Sequence, residues 1–174
     1  RMTMFYDAPL VLSSAQPITT TAASTNLYDV TGAGSGVAPT MTFGNGDIGF
    51  DIAGGVNGIA HPTAYWTVTT NGTGTGTIAF AVQAAPDNGS NAPGTYTTLA
   101  QTEAYIGTTL DVGDVIELPI PPYNKIKAGM GVPRFYRFEY IQTGDGAVSV
   151  TGAIVINPQT GYEVTQYGNN FASA

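Results

Sequence analysis

The chain has 174 residues, of which 43% are apolar and 10% charged, so it is long enough to bury one sizeable core and too short for two comfortable ones. An ordinary soluble domain is charged at roughly a quarter of its positions; the surface here is unusually neutral, and the apolar share argues against disorder, because burying it offsets the entropy of folding. A net charge of −7 opposes nucleic-acid binding, which needs clustered Lys and Arg, and the absence of cysteine removes disulfides and thiolate chemistry.

Gly 23 and Pro 11 leave little uninterrupted chain for long helices and predict short strands joined by turns. No apolar stretch approaches ~20 residues and no signal-like segment is visible, so no membrane partner is expected. In residues 1–20, Met2, Met4, Phe5, Tyr6, Leu10, Val11 and Leu12 are interrupted by Pro9 and Pro17, which predicts an extended N-terminal arm rather than a helix; the alternative is that this end folds back as an edge strand of its own sandwich. Short strands are expected over residues 26–30 and 40–43. In residues 46–52, Ile48, Phe50 and Ile52 share one face while Asp47 and Asp51 share the other, the alternation of a half-buried strand.

The β-branched and aromatic run Tyr65-Trp66-Thr67-Val68-Thr69 stops at Asn71-Gly72-Thr73-Gly74-Thr75-Gly76. It predicts a hairpin into residues 77–84, where Ile78, Phe80 and Val82 align. Pro86-Asp87-Asn88-Gly89 ends that strand. Further strands are expected over residues 95–99 and 115–120, the second at a sheet edge because of Pro119, Pro121 and Pro122. Tyr136, Phe138 and Tyr140 alternate with Arg137 and Glu139 in the clearest strand of the chain, and Thr143-Gly144-Asp145-Gly146 predicts an antiparallel hairpin into residues 148–156. The tail, residues 157–174, carries Tyr162, Tyr167 and Phe171 among Gly and Asn and reads as a second arm. About eight antiparallel strands in residues 21–156 predict an all-β, two-sheet jelly-roll sandwich, with Phe50, Trp66, Phe80, Tyr136 and Phe138 among the buried aromatics.

Residues suited to catalysis are scarce. His61 is the only histidine and precedes a proline in a Gly-rich region, so it has no second histidine with which to hold zinc and no evident triad partner. Asp87-Asn88-Gly89-Ser90-Asn91 faintly resembles a calcium loop but lacks the closing glutamate, so it reads as a plain turn. No spacing among the twelve acids selects a pair for sugar hydrolysis. The expectation is no catalytic residue, no metal and no cofactor. Lys125, Lys127, Arg134 and Arg137 gather four of five basic residues into one segment, a candidate cationic patch. Asn71-Gly72-Thr73 and Asn88-Gly89-Ser90 fit the glycosylation sequon, yet turn geometry explains each Asn-Gly equally well. Trp66 beside Tyr65 suits either a carbohydrate platform or the core.

One segment, Thr20-Thr21-Ala22-Ala23-Ser24-Thr25-Asn26-Leu27-Tyr28-Asp29-Val30, resembles the N-terminal signature of capsid cement proteins of short-tailed phages, of the Bordetella-phage type. Later blocks follow in the same order: Val82-Gln83-Ala84-Ala85-Pro86-Asp87, Tyr96-Thr97-Thr98-Leu99, Leu110-Asp111-Val112-Gly113-Asp114, Arg134-Phe135-Tyr136-Arg137-Phe138-Glu139-Tyr140 and Gly152-Ala153-Ile154-Val155. The resemblance implies a jelly-roll decoration protein on the outer surface of a virion. Its partners would be the major capsid protein and itself, as a homodimer at two-fold positions or a trimer. The apolar residues of the two arms, Met4, Phe5, Tyr6 and Leu10 at one end and Tyr162, Tyr167 and Phe171 at the other, are then the candidate contacts to capsid subunits or to a sister copy. A carbohydrate- or receptor-binding module of a virion is the alternative reading, and Trp66 is its discriminating residue.

Overall fold

The computed structural model describes residues 11–29, 63–121 and 133–155. Ten strands run in chain order: β1 (Val11–Ile18), β2 (Ala22–Ala23), β3 (Tyr28–Asp29), β4 (Thr63–Thr73), β5 (Thr77–Ala85), β6 (Thr97–Gln101), β7 (Tyr105–Ile106), β8 (Val115–Pro119), β9 (Phe135–Thr143) and β10 (Ala147–Val155). All pairings are antiparallel. One sheet has the order β1-β10-β4-β8, and the other the order β2-β9-β5-β6, with β3 also pairing β9 and β7 also pairing β5. The register of β2 and β3 along β9 differs by a short offset, and so does that of β6 and β7 along β5, so each pair is one strand interrupted by a bulge. Counted in this way the described residues form eight strands, four to a sheet, and the chain changes sheet at every step between them except from β5 to β6, which pair with each other in the second sheet. That winding is a jelly roll.

The alternation predicted for single strands agrees with the observed faces. Ala64, Trp66 and Val68 of β4, Ile78, Phe80, Val82 and Ala84 of β5, Tyr136, Phe138 and Tyr140 of β9, and Val148, Val150 and Ile154 of β10 fill the space between the sheets. Leu12 and Ile18 of β1 and Ile116 of β8 close its sides. Trp66 is fully buried, its ring centroid 4.7 Å from that of Phe138 and 5.3 Å from that of Phe80. It has room because the residue paired with it on β10 is Gly152; a Cβ there would lie 2.6 Å from Trp66 Cδ1 and 2.9 Å from Phe138 Cε2. Small against large is how a close-packed interior accommodates an indole.

The structure corrects three expectations. Residues 11–18 are not part of an arm: they form β1, an edge strand paired with β10. Pro17 is tolerated at an edge, and an irregularity between Ser13 and Gln16, where Ala15 has a φ of 45°, lets Ser13 and Ile18, an odd number of positions apart, both face inward. Buried Ser13 ties this strand to the opposite sheet through a 2.6 Å hydrogen bond with the Tyr140 hydroxyl. The other two corrections concern the predicted hairpins. β4 and β5 do not pair, nor do β9 and β10; each glycine-rich turn carries the chain from one sheet to the other. The two crossovers lie side by side, with Ala147 opposite Thr73 in one sheet and Thr77 opposite Thr143 in the other.

Glycine is required where these crossovers touch. A Cβ on Gly76 would lie 2.2 Å from the Thr143 carbonyl oxygen, and one on Gly74, whose φ is +78°, would lie 2.0 Å from that of Asp145. The Asp145 carboxylate fastens the two turns together by accepting a 2.7 Å hydrogen bond from the Gly76 amide. That bond holds its carboxyl below the ordinary carboxylate range, against a smaller upward pull from desolvation. A depressed folded-state value contributes stability that is present above the unfolded carboxylate pKa and lost as pH falls through the folded one. Asp145→Asn is therefore expected to flatten part of the fall in Tm below about pH 4, measured by thermal unfolding from neutral to acidic pH; a decline as steep as that of the parent would contradict this linkage.

The predicted strands over residues 40–43 and 46–52, and with them Phe50, lie outside the described residues, as do the C-terminal arm of residues 157–174 and residues 1–10.

Candidate functional site

The arm residues chosen from the sequence, Met4, Phe5, Tyr6, Leu10, Tyr162, Tyr167 and Phe171, all lie outside the described residues, as do His61, Lys125 and Lys127. Trp66 and Tyr65 lie within them and make no exposed aromatic platform. They project from opposite faces of β4, Trp66 is buried between the sheets, and Tyr65 is only 7% exposed.

Among the described residues a polar cluster lies at one end of the second sheet, where β3, the end of β5 and the start of β9 meet. Arg134 is brought there by its own amide, which donates to the Ala85 carbonyl at 2.9 Å. Its guanidinium forms a two-pronged pair with Asp29, Nε to Oδ1 at 3.0 Å and Nη2 to Oδ2 at 3.1 Å. Nη1 donates to Asp87 Oδ2 and, at 3.0 Å, to Asn91 Oδ1. The flat face of the group covers the Phe135 ring, 4.9 Å from its centroid. Planar, bidentate recognition of this kind is what arginine supplies and lysine does not. The bonds to Asp29, followed by the charges of Asp29 and Asp87, raise the Arg134 pKa further against an opposing desolvation. At Asp87 desolvation works upward, but the Gly89 amide and the guanidinium outweigh it and hold the carboxyl below its ordinary range.

This cluster accounts for the calcium-like appearance of the loop at 87–91. Oxygen-bearing side chains recur there because they turn the chain, with Asp87 Oδ1 accepting from the Gly89 amide and Asn88 Oδ1 from the Ser90 amide, each at 2.8 Å. The positive charge they face is Arg134, so the loop is ordered by a side chain of its own fold. Among the described residues no three His, Cys, Asp or Glu side chains converge as a metal site.

Arg137, also assigned to the candidate cationic patch, is similarly engaged. It lies 3.8 Å from the centroid of Tyr96, donates to Gln83 Oε1 at 2.9 Å and pairs with Glu139 at 3.3 Å. Burial pushes the Tyr96 hydroxyl up and the guanidinium opposes it. Both described members of the patch thus serve as internal ties, a role that the sequence could not reveal because Asp29 is 105 residues from Arg134 and Asn91 is 43.

What the described body offers to a partner is edge and corner. Among the described residues β8 borders only β4, and β1 only β10. Ile106, Val112 and Val115, beside the turns that precede and begin β8, are 46%, 59% and 45% exposed. The depression lined by Pro17, Thr19, Thr70, Asn71, Thr73, Ala147, Val148 and Ser149 is shallow and open. No helix among the described residues is long and apolar enough to cross a membrane. Comparison with protein-family models gives no match, and comparison with curated proteins gives none either.

Proposed function

We propose that this protein is a capsid cement protein, a decoration protein on the outer surface of a phage shell that bridges neighbouring major capsid subunits and stabilises the particle. The observation that carries the reading is the coincidence of the jelly-roll winding with the ordered sequence blocks that resemble that family. Several of those blocks fall on elements that build the sandwich: residues 82–87 at the end of β5, 96–99 at the start of β6, 134–140 on β9 and 152–155 on β10. A jelly roll hosts many functions, so the fold supports the reading only together with the resemblance. The mechanism is burial and strand pairing, and many copies on one shell convert weak single contacts into a stable coat. An acidic protein on the outside of the shell has no genome to hold. Its partners are the major capsid protein and a sister copy, as a dimer at two-fold positions or as a trimer. The rival reading, a carbohydrate- or receptor-binding module of the virion, loses its proposed platform, since Trp66 is committed to the core.

The site proposed is composite across capsomers, so the protein is expected to sediment with assembled shells and to bind free capsid subunits far more weakly. Co-sedimentation with shells beside titration of monomeric capsid protein measures both, and equal binding to the two would overturn the bridging role. Electron cryomicroscopy of decorated particles gives the stoichiometry directly.

A further inference from the structure

Two Asn-Gly dipeptides lie among the described residues, and the fold treats them in opposite ways. Asn71-Gly72 is locked into β4. The Gly72 amide donates to the Leu110 carbonyl at 2.7 Å, Asn71 Oδ1 accepts from the Val112 amide at 2.9 Å, and a Cβ on Gly72 would lie 2.0 Å from the Gly107 oxygen. The backbone there cannot fold back on the asparagine side chain. Asn71 is itself exposed, but Asn88-Gly89, by contrast, lies in a loop outside any strand with its glycine exposed as well. Gly89 has a φ of +89°, and nothing lies within 4 Å of where its Cβ would be.

We propose that Asn88 is a self-modifying position, whose side-chain amide is attacked by the Gly89 backbone nitrogen with help from groups already in place. The Gly89 N–H donates to Asp87 Oδ1 at 2.8 Å, so a carboxylate stands where the nucleophile must shed its proton. Asn88 Oδ1 accepts from the Ser90 N–H at 2.8 Å, so a backbone donor already faces the oxygen on which negative charge develops. Arg134 binds the other oxygen of Asp87 and positions it. The new bond joins Gly89 N to Asn88 Cγ, the Cγ–Nδ2 bond breaks, and ammonia leaves carrying the proton relayed from Gly89. The product is a five-membered succinimide. Water then opens either of its two carbonyls, leaving an aspartyl or an isoaspartyl residue at position 88. No oxidant, metal or other co-reactant is needed. The new carboxylate stands beside Asp87, and the isoaspartyl form lengthens the backbone between Asp87 and Asn91, the two loop residues that Arg134 grips.

The folded protein is incubated in mildly alkaline buffer made with heavy-oxygen water, in parallel with a denatured sample, and both are then cut by chymotrypsin. Cleavage after Trp66, Phe80 and Tyr96 places Asn71 and Asn88 on separate peptides, and fragmentation mass spectrometry locates the exchanged oxygen. In the folded sample position 88 is expected to convert at least about tenfold faster than position 71, a modest share of the ~10²–10⁴ that a positioned base supplies in an enclosed site. In the denatured sample the two should converge. Asp87→Asn, with its fold verified by circular dichroism, should slow position 88 in the folded state and leave the denatured rate unchanged. Equal rates at 71 and 88 in the folded parent, or conversion at 88 slower when folded than when denatured, would overturn the proposal; an unslowed Asp87→Asn variant would remove Asp87 as the proton acceptor.

Discussion

Trp66→Ala is expected to lower the free energy of unfolding by about 3–5 kcal/mol, the range for deleting a large aromatic from a core that cannot collapse around the gap. The indole is wedged between Phe80 and Phe138 and faces Gly152, so the residue opposite it on β10 is already the smallest available and cannot fill the space. Phe80 also depends on its neighbours for orientation, meeting Tyr140 edge-on at 5.8 Å. The measurement is denaturant unfolding followed by tyrosine fluorescence or far-ultraviolet circular dichroism. A drop in midpoint at constant slope reports stability alone, whereas a reduced slope reports a native state already loosened. Loss of less than about 1 kcal/mol would mean that the sheets repack, which is the outcome for a peripheral aromatic and not for this one.

Arg134→Met is expected to cost about 3 kcal/mol, at the lower end of the range for removing one partner of a buried ion pair. The Asp29 side chain has 0% relative exposure, so without the guanidinium its charge loses the partner that offsets its desolvation. The double variant Asp29→Asn with Arg134→Met is expected to recover a substantial part of that loss, since both charges are then gone. A double variant whose instability equals the sum of the single variants, read from the same unfolding curves, would show that the two residues are not coupled.

These two positions also mark how far the sequence can be read. The facing of Trp66, Phe80, Tyr136 and Phe138 follows from alternation, because in a strand the period of two is local information. Which strands pair is not local. Asn71-Gly72-Thr73-Gly74-Thr75-Gly76 and Thr143-Gly144-Asp145-Gly146 have the chemistry of hairpin turns. A turn that crosses between sheets needs the same glycines, here because the two crossovers touch at Gly76, Gly74 and Asp145. Only the core decides, by bringing Trp66 of β4 against Phe80 of β5 across the sandwich. In the same way Val11, Leu12 and Ile18 read as an arm because Pro17 lies among them, and only the edge position of β1 explains why that proline is harmless. Arg134 looked like one of a row of surface cations. Its role depends on Asp29 and Asp87, residues that no spacing rule connects to it.

The neighbouring position of β1 and β10 sets the order in which the body can be finished during synthesis. Val11 pairs with Ala153 and Ile18 with Val148, and β10 stands between β1 and β4 in its sheet. Until β10 has left the ribosome, β1 has no partner among the described strands, and β4 lacks the neighbour that carries Gly152. The second sheet matures earlier, since β9 completes its pairing with β2, β3 and β5 one strand sooner. Contacts that close so much chain form late and slowly. A nascent chain of this topology therefore carries an incomplete first sheet until its last described strand is inserted between β1 and β4.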